Sequence, residues 1–129
     1  MRRGVASAIL GRVALRCLIV DDNEEFLASA SRLLSSQGLE IVGRASSGAD
    51  AVRVAETLAP DVALVDVQLG DEDGLDVTRR LTANAGATRV ILISTHSEGD
   101  LADLIADSPA VGFLPKASLG ARAIAKLLG

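Results

Sequence analysis

The chain has 129 residues, of which 49% are hydrophobic and 23% are charged, and its formal net charge is −4. These values are those of one globular domain that can bury a core. The negative charge and a total of two aromatic residues argue against a basic or stacking surface, so we expect no direct nucleic-acid binding by this segment. The single Cys17 lies in an apolar run, where a buried, inert thiol in a reducing, cytoplasmic setting is expected.

The first residues precede the first strand-like pattern. Two arginines near the start are followed by a short apolar stretch, which Arg12 interrupts well short of the length of a membrane span. We therefore predict a poorly ordered N-terminal extension over residues 1–14, a folded domain over residues 15–129, and no membrane segment.

Strand-like and helix-like patterns alternate five times along the rest of the chain. The predicted strands are Leu15–Val20, Glu40–Arg44, Val62–Asp66, Arg89–Ile93 and Gly112–Lys116. Strands separated by helices of about ten residues are typical of parallel sheets with right-handed crossovers. The predicted fold is therefore α/β: a doubly wound, five-stranded parallel sheet with helices on both faces.

The segments between the strands carry helix-start signals and apolar residues at helical spacing. The stretch Gln68–Gly74 (QLGDEDG) is mostly polar and is predicted as a loop, with the third helix beginning at Leu75. The predicted N-caps are Asn23, Ser47, Ser97 and Ser118, and the predicted apolar face of the first helix comprises Phe26, Ala30, Leu33 and Leu34.

Four of the five predicted strands run into polar residues at their C-terminal ends. The first leads into Asp21 and Asp22, the third into Asp66, the fourth into Ser94 and the fifth into Lys116. Because the C-terminal ends of parallel strands lie along one edge of the sheet, we expect these side chains to converge there. Clustered carboxylates repel one another unless a cation neutralises them, and Mg²⁺ takes oxygen ligands of this kind. The pattern therefore predicts a site for a divalent metal and a phosphoryl group.

Four segments of the chain resemble the receiver domain of bacterial two-component response regulators. They are LIVDDN at 18–23, PDVALVDVQLGDEDG at 60–74, VILIST at 90–95 and GFLPK at 112–116. The resemblance covers nearly the whole chain. The sequences of these segments are most similar to those of the receivers of LuxR/NarL-type regulators. It implies a flavodoxin-like sheet of order 2-1-3-4-5. It also implies a signalling switch rather than an enzyme, catalysing only its own phosphorylation and dephosphorylation.

The resemblance also implies roles for individual residues. Asp66 matches the phosphoacceptor, which takes its phosphoryl group from a sensor histidine kinase or from a small acyl phosphate. Lys116 matches the lysine that pairs with the phosphoryl group, Ser94 matches the switch hydroxyl, and Phe113 matches the switch aromatic. The implied Mg²⁺ ligands are Asp21 through water, Asp22, Asp66 and the backbone carbonyl of Gln68.

Partners and alternatives follow from the same resemblance. The expected partners are a sensor histidine kinase and a downstream effector protein or an effector domain absent from this chain, and a homodimer formed through the last helices is a further expectation. A pseudo-receiver, which keeps the fold as a non-phosphorylated interaction module, stays open. A phosphatase of the haloacid-dehalogenase type needs a second acid two residues after its nucleophile, where this chain has Gln68.

Gly70 stands where the family often has proline, which predicts a looser loop over the site.

Overall fold

The computed structural model describes residues 14–84, 87–95 and 101–129, without the side chains of Asn84 and Leu104. The predicted extension, apart from Ala14, and the predicted cap at Ser97 lie outside the described residues, and both stay predictions. None of the described helices is long and apolar enough to cross a membrane. In chain order the elements are β1 (Arg16–Val20), α1 (Glu24–Ser36), β2 (Glu40–Ala45), α2 (Gly48–Leu58), β3 (Val62–Asp66), β4 (Gln68–Leu69), β5 (Glu72–Asp73), α3 (Gly74–Asn84), β6 (Arg89–Ser94), α4 (Ala102–Ala106), β7 (Gly112–Pro115), a 3₁₀ turn (Lys116–Ser118) and α5 (Ala121–Leu128).

The main sheet has five parallel strands in the order β2-β1-β3-β6-β7. Numbered within this sheet alone, the order is 2-1-3-4-5, so the predicted fold is confirmed. The chain leaves β1 for β2 on one side and returns to β3 on the other, which opens a crevice at the C-terminal ends of β1 and β3. All five residues of β3 are buried, as expected for a central strand that is covered on both faces.

Two apolar clusters cover the two faces of the sheet. Because successive strand residues point to opposite faces, Leu18 and Val20 belong to one cluster, while Cys17 and Ile19 belong to the other. The first cluster includes apolar residues of α2 and α3, and the second includes those of α1 together with Ile124 of α5. The sheet therefore lies between two helical layers.

The buried face of α1 differs from the predicted one at Leu27 and Leu33. Leu27 joins Ala30 and Leu34 as a buried residue, whereas Leu33 is 40% exposed. The prediction for Leu33 was wrong because a helix packed against a sheet buries one narrow stripe, and Leu33 lies beyond its border. The predicted cap at Asn23 is confirmed, since its side chain accepts a hydrogen bond from the backbone N–H of Phe26.

The predicted cap of the last helix was also wrong. Ser118 ends the 3₁₀ turn, and α5 begins three residues later with Gly120 as its N-cap residue. The backbone N–H of Ala121 donates instead to Oε1 of Gln37, at 2.6 Å. A distant side chain thus supplies the acceptor that a local serine was expected to provide.

The predicted polar loop Gln68–Gly74 contains a two-stranded antiparallel hairpin, β4–β5. Strands of two residues are too short to produce an alternating pattern, so the sequence did not reveal them. Gly70 begins the two-residue turn with φ +61°, which is the first position of a type II′ turn. Proline is locked near φ −65°, so this turn explains why Gly70 replaces the proline often found in the family.

Cys17 is completely buried, and burial raises the pKa of its thiol to about 12, from an ordinary value of 9.0. Between these values the unfolded chain loses the proton and the folded chain keeps it, so stability falls as pH rises. We expect the free energy of unfolding to lose about 2 kcal/mol between pH 8 and pH 10.5 through this group, at about 1.4 kcal/mol per pH unit.

Urea unfolding of the wild type and of Cys17→Ala at both pH values measures this contribution. The stability difference between the two proteins should shrink by about 2 kcal/mol at the higher pH. A difference that does not change with pH would show that the thiol does not titrate in this way.

Candidate functional site

Three carboxylates meet at the C-terminal ends of the two central strands. Asp21 and Asp22 directly follow β1, and Asp66 is the last residue of β3. One oxygen of each carboxylate lies within 4.8 Å of the other two. Asp21 and Asp66 are buried, whereas Asp22 is exposed. The cluster therefore has a closed inner side and one side that is open to solvent.

The two oxygens of Asp21 have different surroundings. Oδ1 accepts a hydrogen bond of 2.9 Å from the backbone N–H of Asn23. Oδ2 lies 2.6 Å from Nζ of Lys116 in an ion pair whose angles differ from those of a hydrogen bond. Oδ2 is thus a buried acceptor without a hydrogen-bond partner among the described residues. The ammonium of Lys116 offsets the charge of this buried oxygen, and a water molecule could still donate a hydrogen bond to it.

Asp66 faces both the acidic and the basic groups of the site. Its Oδ1 accepts a hydrogen bond of 3.2 Å from the backbone N–H of Gln68, and its Oδ2 lies 3.3 Å from Nζ of Lys116. Burial and the charge of Asp21 raise the pKa of Asp66, and the neighbouring Lys116 only partly opposes them. Ionisation of Asp66 therefore costs free energy, and a bound cation would reduce that cost.

Lys116 is the cation of this site within the described residues. It follows β7 and starts the 3₁₀ turn, rather than ending the strand as predicted, and its side chain is 15% exposed. Burial alone would lower the pKa of Lys116, but its close contact with the Asp21 carboxylate and the charges of Asp66 and Asp21 raise it overall. The ammonium group therefore stays charged at neutral pH, and its centre lies 4.3 Å from the ring centroid of Phe26.

The other predicted site residues lie around this cluster. Ser94 ends β6, is 4% exposed, and is in register with Pro115, one residue before Lys116. Phe113 lies deeper, in register with Leu92 in the sheet, and is 6% exposed. The described contact of Gln68 with the cluster is through its backbone N–H. The structure therefore brings the carboxylates and Lys116 into contact, places Ser94 at the same edge, and keeps Phe113 in the core.

The donor set fits a divalent metal. Three carboxylates and one ammonium leave the cluster with a formal charge of −2 when all are ionised, which a divalent cation would neutralise. Mg²⁺ prefers carboxylate oxygens and keeps several waters, which the exposed side at Asp22 can admit. The chemistry of these residues therefore fits a divalent metal such as Mg²⁺.

Two contacts were not found from the sequence, one at the site and one that holds the hairpin following β3. The Phe26 ring beside Lys116 was interpreted only as part of an apolar helix face. Glu72 of β5 accepts a hydrogen bond of 2.8 Å from the N–H of Gly48 at the start of α2, and this contact joins the β4–β5 hairpin to a neighbouring helix. Neither contact has a signal in the local sequence, because each joins elements far apart along the chain.

Comparison with known proteins agrees with this fold. Residues 17–128 match the family model described as the response regulator receiver domain, and the chain belongs to this family. Receivers of this family act as signalling domains of bacterial two-component systems, and the predicted likeness to the LuxR/NarL type is confirmed.

Named relatives give the extent of the similarity. The response regulator UvrY of Escherichia coli K12 is 34% identical over 103 residues, which are 79% of this chain and 47% of UvrY. The chain spans about half the length of the curated relatives it matches. The receiver domain of NarL from Mycobacterium tuberculosis is 30% identical with a TM-score of 0.79, covering 92% of this chain and 99% of that domain. A LuxR-family regulator from Aurantimonas is 26% identical with a TM-score of 0.80, covering 91% of this chain and 87% of its own.

Proposed function

We propose that this chain is a phosphorylatable receiver that switches state when Asp66 accepts a phosphoryl group. The observation that carries the proposal is the position of the Asp66 carboxylate, which lies between an acidic cluster that suits a metal and the ammonium of Lys116. Phosphoryl transfer is catalysed mainly by positioning and by neutralising charge, and this arrangement supplies both.

In the proposed reaction, a carboxylate oxygen of Asp66 forms a bond to phosphorus. The bond from phosphorus to the donor breaks, and its electron pair leaves with the imidazole of a phosphohistidine or with the carboxylate of an acyl phosphate. Lys116 turns its N–H donors from Asp66 toward the new phosphoryl oxygens. Asp22, Asp66, the Gln68 carbonyl and, through water, Asp21 would hold a Mg²⁺ ion, which would further neutralise the phosphoryl charge.

The proposed switch uses the residues at the ends of β6 and β7. A phosphorylated Asp66 offers new acceptor oxygens close to the end of β6, and the hydroxyl of Ser94 is the donor placed at that edge. Movement of the Ser94 segment would change the space around Phe113, which is buried in this structure. The surface around α4, β7 and α5 then differs between the two states.

The partners of this switch are proposed from the same function. A sensor histidine kinase supplies the phosphoryl group, and an effector domain or protein reads the switched surface. The kinase would use cytoplasmic ATP, which is consistent with a cytoplasmic location. Dimerisation through the last helices stays a prediction, and the mass of the protein in solution with and without beryllofluoride tests it.

The proposed function predicts one Mg²⁺-dependent phosphoryl group per chain. Incubation with acetyl phosphate and Mg²⁺ should add the mass of a single phosphoryl group to the wild type, and none to Asp66→Asn. Asp61→Asn is a matched control, because Asp61 is an exposed carboxylate outside the cluster. If neither acetyl phosphate nor histidine kinases add the group, the pseudo-receiver interpretation is correct instead.

The proposed metal site predicts that Mg²⁺ stabilises the fold. A ligand that binds only the folded state at a hundredfold excess over its Kd adds about 2.7 kcal/mol to the free energy of unfolding. We expect thermal unfolding of the wild type to shift upward with Mg²⁺ concentration, and the shift to shrink strongly in Asp22→Asn. An equal shift in both proteins would place the ion elsewhere.

A further inference from the structure

The ring of Phe26 lies beside the ammonium of Lys116, with 4.3 Å between Nζ and the ring centroid. A cation within about 6 Å of a ring face is attracted by the quadrupole of the ring. Phe26 stands in the first turn of α1, and Lys116 follows β7. The contact therefore joins an early and a late part of the chain directly at the phosphoryl site.

The backbone around Phe26 is tied to the same carboxylate that holds Lys116. The N–H of Phe26 donates to Oδ1 of Asn23 at 3.1 Å, and the N–H of Asn23 donates to Oδ1 of Asp21 at 2.9 Å. The other oxygen of Asp21 lies 2.6 Å from the Lys116 ammonium. These contacts form a closed circuit of carboxylate, helix cap, aromatic ring and ammonium, so Phe26 and Lys116 are positioned relative to one another.

A ring can hold the ammonium in a way that the carboxylates cannot. Asp21 and Asp66 attract Lys116 but also carry charge that repels an arriving phosphoryl group. The ring attracts the cation through its neutral face, bears no net charge, and leaves the N–H donors of the ammonium available. By holding the ammonium, the ring also restricts the rotamers of the flexible Lys116 side chain.

We propose that Phe26 is a positioning residue for phosphoryl transfer. Its ring keeps the Lys116 ammonium at the sheet edge while the N–H donors pass from Asp66 to the phosphoryl oxygens. The inference rests on the proposed function of Asp66 as the phosphoacceptor. Phe26 itself forms no bond and exchanges no proton.

A simpler role for Phe26 is to fill space. The residue is partly buried and packs against the apolar cluster between the sheet and the α1 and α5 layer. Packing needs apolar bulk, which leucine supplies, whereas attraction of a cation needs an aromatic face. The pair Phe26→Leu and Phe26→Tyr therefore separates the two roles.

The first measurement detects the contact itself. The chain has two lysines, Lys116 and the exposed Lys126, so the NMR spectrum of lysine-labelled protein contains one site signal and one internal reference. We expect ring-current shielding to move the Lys116 Hε signals upfield of those of Lys126 in the wild type and in Phe26→Tyr. The displacement should disappear in Phe26→Leu.

The second measurement is the rate of Mg²⁺-dependent phosphorylation by acetyl phosphate. We expect Phe26→Leu to react about three- to thirtyfold more slowly than the wild type, the range given by the strength of cation–π contacts. Phe26→Tyr should react within about twofold of the wild type. Leu33→Ala is the matched control on the same helix, because Leu33 is exposed, and it should react at the wild-type rate.

The outcomes test the positioning role of Phe26 and the acceptor role of Asp66 separately. Wild-type reactivity in Phe26→Leu, equal slowing in Phe26→Leu and Phe26→Tyr, or an unshifted Lys116 signal would overturn the positioning role while Asp66 remains the acceptor. Absence of an Asp66-dependent mass gain in the wild type would overturn the proposed function, and the positioning role with it. A slow leucine variant, a normal tyrosine variant and a shifted Lys116 signal support both.

Discussion

Lys116→Met is expected to slow phosphorylation by acetyl phosphate by about a hundredfold or more, as the loss of a single charge-stabilising donor does in enzymes. Methionine keeps most of the length of the side chain but removes the ammonium that lies 2.6 Å from Asp21 and 3.3 Å from Asp66. The negative charge of the transferring group would then meet the carboxylates without a neighbouring protein cation. The initial rate of mass gain at a fixed Mg²⁺ concentration measures the effect.

Lys126→Met provides the control, because it removes the one other lysine of the chain from an exposed position on α5. It should react at the wild-type rate. A rate for Lys116→Met within about threefold of the wild type, far from the hundredfold expected for a charge-stabilising donor, would show that Lys116 does not stabilise the transfer.

Gly74→Ala is expected to lower the free energy of unfolding by about 3 kcal/mol or more, because a forced overlap in a packed region costs this much. A Cβ at this position would clash with the backbone carbonyl oxygens of Asp66 and Val67, the latter at 2.7 Å. The N–H of Gly74 also donates to Val67 at 2.7 Å, so the start of α3 cannot move away without breaking that bond. The strain acts on the end of β3, so we also expect slower phosphorylation of Asp66.

Gly120→Ala is the matched control for this substitution. Its φ of −175° is open to every residue, and the nearest atom to the added Cβ would be Oε1 of Gln37, at an ordinary 3.5 Å. Urea unfolding should show a loss of at most about 1 kcal/mol, which is typical of exchanging glycine for alanine at a helix N-cap. Equal stabilities of the two variants would contradict the predicted clash.

Much of this molecule could be predicted from the sequence, because its strongest signals are local. Buried parallel strands appear as continuous apolar runs, and the residue after each run lies at the ligand-binding edge of the sheet. Asp21, Asp66 and Lys116 could therefore be placed near one another from the sequence alone. Their chemical roles follow from the resemblance to the receiver family and stay predictions that the experiments above test.

The parts that the sequence did not predict depend on how elements are placed relative to one another. Periodicity gives the presence of an apolar stripe on α1, but only docking on the sheet decides that Leu27 is buried and Leu33 is exposed. The ring of Phe26 meets Lys116 because the lysine side chain reaches Asp21 at the end of β1, close to the start of α1, and no spacing in the chain expresses that. A capping pattern likewise marks Ser118, while the acceptor used belongs to Gln37.

The bond between Gln37 and Ala121 has a consequence for the order in which the chain folds. Its two residues are 84 positions apart, and α5 is eight residues long, too short to be a stable helix on its own in water. The start of α5 obtains its acceptor only after α1 has docked on the sheet. We therefore expect α5 to form last during folding, and its amide protons to exchange with solvent earlier than those of the central strands.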